Sequence, residues 1–271
     1  MSLKTIVKDR KSKFPGRVRL TPVSGQTNVY DMVRADQPTE EGTALNAALF
    51  AKKADALTED VTIYVSPSGS DTTGNGTRAK PYKTVQYALE TIPKNLNSFD
   101  AAIYLEPGTY AGAINVEYFC GGRIIFTGET TNVVTFSGQI TVRDAYLQFE
   151  YFEAVMDKSY IYVTQGGRFY TGDSAVLKCN GGAYGVYVMY NSKASLAGNT
   201  VVNNALTSAI RAGASSEIYV HNISGSGNKA GFQAAGGAVR FNINNITATT
   251  MYLTSAGGRI YNAAQSNAPS Y

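Results

Sequence analysis

Apolar residues recur along this chain on two scales. Over short stretches they alternate with polar ones, as in Ile161-Tyr162-Val163, Val186-Tyr187-Val188, Ile218-Tyr219-Val220 and Met251-Tyr252-Leu253. That alternation sends successive side chains to opposite faces of a strand. Over longer stretches the blocks return. A first series, Ile124, Leu147, Phe169, Leu196, Ile218, Val239 and Ile260, advances in steps of 23, 22, 27, 22, 21 and 21 residues. Four of its members follow a glycine pair, in Gly121-Gly122-Arg123, Gly166-Gly167-Arg168, Gly236-Gly237-Ala238 and Gly257-Gly258-Arg259. A second series is Val142, Val163, Val188, Ile210, Phe232 and Leu253, and a third is Val134, Val155, Leu177, Val202, Ile223 and Ile246.

Three interleaved series predict three short strands per coil, each burying its apolar side only against its neighbours. The fold class is therefore all-β: a three-faced parallel β-helix, with about 22 residues per coil. Gly128, Asp173, Asn199, Asn222 and Asn245 follow the first-series strands and are expected at corners, where such residues tolerate left-handed backbone. Stacked asparagines also hydrogen-bond from coil to coil. The outward positions form columns. The second face presents Thr141, Tyr162, Tyr187, Arg211, Gln233 and Tyr252; the first presents Gln148, Tyr170, Ala197, Tyr219, Arg240 and Tyr261.

The first sixty residues lack this pattern. Residues 1–60 contain a short β signal at Arg17-Val18-Arg19-Leu20 and a helical stretch from Thr43 to Lys53, with Leu45, Ala48 and Leu49 on one face. They read as a segment separate from a capped β-helix over 61–271. A strand at Val61-Thr62-Ile63-Tyr64-Val65 precedes a Gly/Ser/Asp loop. Val85, Ala88, Leu89 and Ile92 then make one stripe of a helix stopped by Pro93. An open β-helix exposes a strand edge and an apolar bore, and this helix is the expected cap.

Ile63-Tyr64-Val65-Ser66-Pro67-Ser68-Gly69-Ser70-Asp71, Lys80-Pro81-Tyr82-Lys83-Thr84-Val85-Gln86-Tyr87-Ala88-Leu89 and Leu105-Glu106-Pro107-Gly108-Thr109-Tyr110 resemble the opening segment of the pectate-lyase-like right-handed β-helix superfamily. That superfamily holds lyases, hydrolases, isomerases and non-enzymatic tail proteins, so the resemblance implies a fold and leaves the reaction open. Gly16-Arg17-Val18-Arg19-Leu20-Thr21-Pro22-Val23, Asp31-Met32-Val33-Arg34-Ala35-Asp36 and Glu41-Gly42-Thr43-Ala44-Leu45-Asn46-Ala47-Ala48-Leu49 are similar to the leading segments of phage and prophage tail and baseplate-associated proteins. That resemblance implies a tail fibre or tailspike-like homotrimer in the virion. Residues 1–60 would dock it on other tail proteins, with Arg17, Arg19, Leu45 and Leu49 as candidate docking residues.

Charge changes this picture only locally. The net charge is +4, but Lys4, Lys8, Arg10, Lys11, Lys13, Arg17 and Arg19 against Asp9 give +6 within residues 1–20, leaving −2 for the rest. A nucleic-acid partner would rest on that arm alone. Cys120 and Cys179, 59 residues apart, are expected as buried unbridged thiols of a protein made in a reducing cytoplasm. No apolar run reaches membrane-spanning length, and the N-terminus lacks the apolar core of a signal peptide.

Chemistry is sparse. Glycoside hydrolysis needs two carboxylates about 5 to 10 Å apart, and a calcium-assisted lyase needs clustered aspartates with a basic residue. Asp144, Glu150, Glu153, Asp157 and Asp173 form the one candidate cluster, with Asp144, Glu150 and Asp173 as catalytic candidates beside the reading of solvated loop charges. After Asp173 the only carboxylate is Glu217, and His221 is the only histidine, so the residues call for no metal and no cofactor. The tyrosine columns, with Tyr162, Tyr187, Arg211, Tyr252, Tyr170 and Tyr219, admit three readings: cross-strand stacking, a subunit interface, or a glycan-binding surface. The expected function is a structural tail component that contacts host-surface polysaccharide, with a depolymerase as the alternative.

Overall fold

A computed structural model describes residues 11–12, 18–25, 27, 29–34, 38–40, 56–172 and 174–262. The chain forms two compact units, residues 2–54 and 55–271. In the smaller unit Lys11–Ser12 pairs with Pro38–Glu40, and Val18–Pro22 forms an antiparallel hairpin with Tyr30–Arg34. Leu20 stands opposite Met32 there, and both side chains are exposed, as is Arg19. Arg17, Leu45, Leu49 and Asp173, and the helix expected from Thr43, lie outside the described residues.

The larger unit is a parallel β-solenoid with three faces. Its first-face strands begin at Val61, Asp100, Arg123, Tyr146, Arg168, Lys193, Glu217, Ala238 and Arg259. From Arg123 onward the steps are 23, 22, 25, 24, 21 and 21 residues. Every rung pairs in parallel with the next, Leu147 lying between Ile124 and Phe169 and Val142 between Val116 and Val163. The bore is packed, with Phe126, Phe136, Phe149, Phe152 and Phe169 in mutual ring contact in the lower coils. Val186, Val188, Ala209 and Ala212 fill the middle. Phe232, Phe241 and Tyr252 stack above them, with interplanar angles of 11°, 16° and 11°.

The repeated glycine pairs have a backbone cause. Gly121, Gly166, Gly236 and Gly257 take φ between 75° and 80° at the corner leading to the first face. Their followers are pressed against backbone: a Cβ at Gly122 would meet the Phe99 carbonyl oxygen at 2.0 Å, and one at Gly258 the Ala234 oxygen at 2.2 Å. The first glycine turns the chain and the second lets two coils touch. Where the pair is missing, Asp144, Tyr190, Asn191, Ala214 and Ser215 adopt the left-handed backbone instead.

Several expected positions shift. Gly128, Asn199, Asn222 and Asn245 have no positive φ, so they are not the left-handed corners. Asn222 does donate from Nδ2 to Asn199 Oδ1 at 2.8 Å, forming a coil-to-coil rung, but Asn245 aligns with Ser224 instead. In the first series Ala194, not Leu196, continues the ladder from Phe169 to Ile218, and Ser195 replaces Ala197 in the outward column. In the second series Ile210 pairs with Val186 rather than Val188. In the third, Ala154 and Met156 point inward while Val155 is half-buried outside. Tyr252 pairs with Phe232 and packs on the core, and Leu253 takes its expected outward place at 39% exposure. A two-residue slip keeps a side chain on its own face, so hydropathy favours Leu over Ala without marking the error. Cys179 is buried as expected, but Cys120 is exposed, at the bridge to Asn95 just before Gly121-Gly122.

Helix α1, Val85–Thr91, closes the N-terminal end. Thr84 caps it by accepting from the Tyr87 amide at 3.2 Å, and Val85, Ala88, Leu89 and Ile92 are buried on the bore. Its Gln86 accepts from the Asn115 amide at 2.8 Å, which satisfies a donor on the second-face strand Ile114–Glu117. On the first face the loop after Val65 does the same work: Tyr64 donates to Gly76 at 2.8 Å, and Tyr82 to Tyr64 at 3.0 Å.

Candidate functional site

Two outward columns run along the first face. One carries Tyr146, Arg168, Lys193, Glu217, Ala238 and Arg259; the other carries Gln148, Tyr170, Ser195, Tyr219, Arg240 and Tyr261. They project because Phe169, Ala194 and Ile218, the residues between them, point into the bore. The second column has a break at Ser195, a small side chain between two tyrosines. A groove of about 320 Å³ opens there, lined by Tyr146, Arg168, Tyr170, Lys193, Ser195, Glu217, Tyr219 and Arg240, among others. Lys193 and Glu217 form an exposed ion pair at 3.4 Å. Arg240 lies over the Tyr261 ring, 4.7 Å from its centroid. A second depression of about 260 Å³ adjoins it, lined by Gln148, Glu150, Tyr151, Tyr170, Gly172 and Ser174.

Below the groove the first face carries a polar chain across three coils. The Arg123 guanidinium donates to Asp100, with Nε to Oδ1 at 3.1 Å, and to Gln148 Oε1 at 3.1 Å. Hydrogen bonding by Asp100 raises the Arg123 pKa further, so the pair stays charged. Gln148 in turn donates to Glu150.

Of the carboxylate candidates, Asp144 and Glu150 lie at the two ends of one corner and strand, and Asp173 is outside the described residues. Asp144 occupies a corner at φ 42°, and Glu150 ends the following strand, Tyr146–Glu150. At about 3.3 Å per residue the strand separates the Tyr146 and Glu150 backbones by roughly 13 Å, with Asp144 beyond the corner. Glu153 is on another face, paired with Lys178 at 2.6 Å. Among the described residues no group of three or more His, Cys, Asp and Glu side chains is placed to hold a metal ion. His221 is exposed and its Nδ1 lies 3.2 Å from Asn242 Nδ2.

The second face is built differently. Tyr162 and Tyr187 stack on adjacent rungs at 5.3 Å, and Tyr184 packs on Tyr187 at 4.7 Å and on Tyr160 at 5.3 Å. The Arg211 guanidinium lies over Tyr187 at 4.7 Å and donates to the Tyr184 hydroxyl at 2.7 Å. Burial raises the pKa of Tyr160 and of Tyr187. Rings and cation are spent on one another. The structure thus places Tyr170 and Tyr219 in the groove, Tyr162, Tyr187 and Arg211 in a closed stack, and Tyr252 on the core. Arg168, Lys193, Ser195 and Arg240 were not among the expected site residues. The readable signal was a small residue between two tyrosines, visible only in the correct register.

No family model matches the chain, and no curated protein matches it. Among solved structures, a rhamnogalacturonan lyase is similar over 78% of this chain, with a TM-score of 0.43 and 12% identity. The chain spans 64% of the length of that lyase. The class is set by the chain's own pairing: a capped parallel β-solenoid with an aromatic, basic groove on one face.

Proposed function

We propose that this protein is a structural component of a phage-like tail, a fibre or spike element, whose β-solenoid holds glycans of a host surface without cleaving them. The observation that carries the binding half is the first-face groove, where tyrosines flank an open slot and basic side chains rim it. Flat rings offer the stacking surface that sugar rings use, and phenol and guanidinium groups supply hydrogen bonds. The described carboxylates of this face have partners: Asp100 holds Arg123, Gln148 holds Glu150, and Lys193 holds Glu217. The tail assignment rests on the resemblance of residues 16–49 to tail and baseplate-associated leading segments. In this reading residues 1–60 dock the chain on the virion, and the solenoids assemble as a homotrimer.

The test is incubation of purified protein with host-surface polysaccharide. Retention of the polymer on immobilised protein, with its size distribution unchanged by gel filtration, is the expected result. Release of oligosaccharides, lost in Asp144→Ala or Glu150→Ala, would replace this reading with a depolymerase. No retention at all would remove the glycan.

A further inference from the structure

The groove has a definite width. Tyr170 and Tyr219 stand two rungs apart in one column, with Ser195 between them. Two rungs span about 10 Å, so a ring placed midway lies about 5 Å from each tyrosine, inside the range of stacked pairs. The second face shows that spacing occupied by the chain's own side chains, Tyr162 and Tyr187 at 5.3 Å. The slot at Ser195 therefore takes one six-membered ring that the protein does not supply.

The groove also has a sign. Among the described residues that line it, Arg168, Lys193 and Arg240 stand against Glu217, three cations to one anion. Arg168 is exposed and has no ion-pair partner among the described residues, and the Lys193–Glu217 pair leaves Lys193 69% exposed. A guanidinium recognises a carboxylate through two parallel hydrogen bonds. Past Tyr170 the cations give way: the adjoining depression contains Glu150, with no Lys or Arg among its described lining residues.

We propose that this groove binds a polysaccharide through an acidic sugar, its ring between Tyr170 and Tyr219 and its carboxylate on Arg168 and Lys193, with a neutral sugar next in the chain beside Glu150. The inference rests on the glycan-binding reading and adds the sugar class and the order. An alternating acidic and neutral polymer fits both depressions at once. A fully acidic polymer sets a carboxylate against Glu150.

The experiment measures binding to the full chain by calorimetry for four probes: hyaluronan, chondroitin, alginate and dextran. Hyaluronan and chondroitin alternate a uronate with a neutral N-acetyl sugar, alginate is all uronate, and dextran is neutral. The expected order is either alternating polymer first, then alginate, with dextran lowest. Ser195→Tyr fills the slot with the missing ring and should weaken binding at least tenfold while the melting temperature holds or rises. Arg168→Gln should weaken it at low salt and flatten its salt dependence. Equal or tighter binding of dextran overturns the acidic sugar and leaves the glycan-binding function standing. Binding of no acidic probe, with host-surface polysaccharide still retained, also overturns it. Unchanged binding in folded Ser195→Tyr moves the site elsewhere. Failure of every probe and of the host polysaccharide removes both readings.

Discussion

The first and second faces of the solenoid carry nearly the same outward alphabet and end with opposite surfaces. On the second, Tyr162, Tyr187 and Arg211 follow one another on consecutive rungs, joined by Tyr184, which opens the strand Tyr184–Val188, and by Tyr160, which precedes the strand Ile161–Thr164. On the first, one serine separates Tyr170 from Tyr219. In a stacked ladder each side chain has its neighbour supplied by the next coil, so a single small residue converts a filled column into a cleft. Aromatic content alone therefore says little about binding. What matters is whether the next coil fills the space above each ring.

The comparison can be tested from the inside out. The largest loss is expected for Phe149→Ala, which removes a ring touching Phe126, Phe136, Phe152 and Phe169 beneath the first face. It should cost about 3 to 5 kcal/mol in denaturant unfolding. Tyr187→Ala comes next. It breaks two ring pairs and one cation–π contact and should cost about 2 kcal/mol. Tyr219→Ala should cost about 0.5 kcal/mol or less, since Tyr219 lines the open groove and has no ring contact to lose among the described residues. Equal losses for the two tyrosines would end the distinction between a closed and an open face.

A smaller effect should appear with alkali. Burial holds Tyr160 and Tyr187 above their ordinary value of 10.0. The unfolded chain then releases its phenolic protons first, so their contribution is intact below pH 10 and disappears as pH rises through the folded values. Melting temperatures between pH 8 and 11 should show this decline, and Tyr187→Phe should reduce it. A decline unchanged in that variant would assign it to other tyrosines, such as buried Tyr110, whose pKa is also pushed up. The smallest readout leaves stability untouched. Exposed Cys120 should react with a thiol reagent in the native protein, and Cys179, its pKa pushed up to about 12 by burial, should not. Two fast thiols per chain would show that the bore opens.

The coil repeat, the three faces and the capping stripe Val85, Ala88, Leu89, Ile92 were legible because the same period repeats many times and burial enforces it. Errors arose where alternation offers equivalent inward places two residues apart. Choosing Leu196 over Ala194 kept the face and lost the column, which hid Ser195 and with it the groove. Val155 misled in another way, since a strong apolar residue lies outside while Ala154 fills a narrow part of the bore. Tyr252 reads as outward because Leu253 extends the second series, yet the ring of Tyr252 completes the stack on Phe232 and Phe241. Asp144 is of the residue type that tolerates left-handed backbone, yet without a glycine pair beside it this corner was not marked in the repeat.

The hydrogen bond from the Asn115 amide to Gln86 gives the molecule a direction. A solenoid is built from a repeat that in principle accepts another copy of itself at either terminus. Here a side chain already answers the donor that an incoming strand would need, so templated growth from that terminus must first displace the helix. Gln86→Ala would leave the helix stripe in place and free one amide. A rise in end-to-end association of that variant with concentration would make Gln86 a stop signal written in one residue.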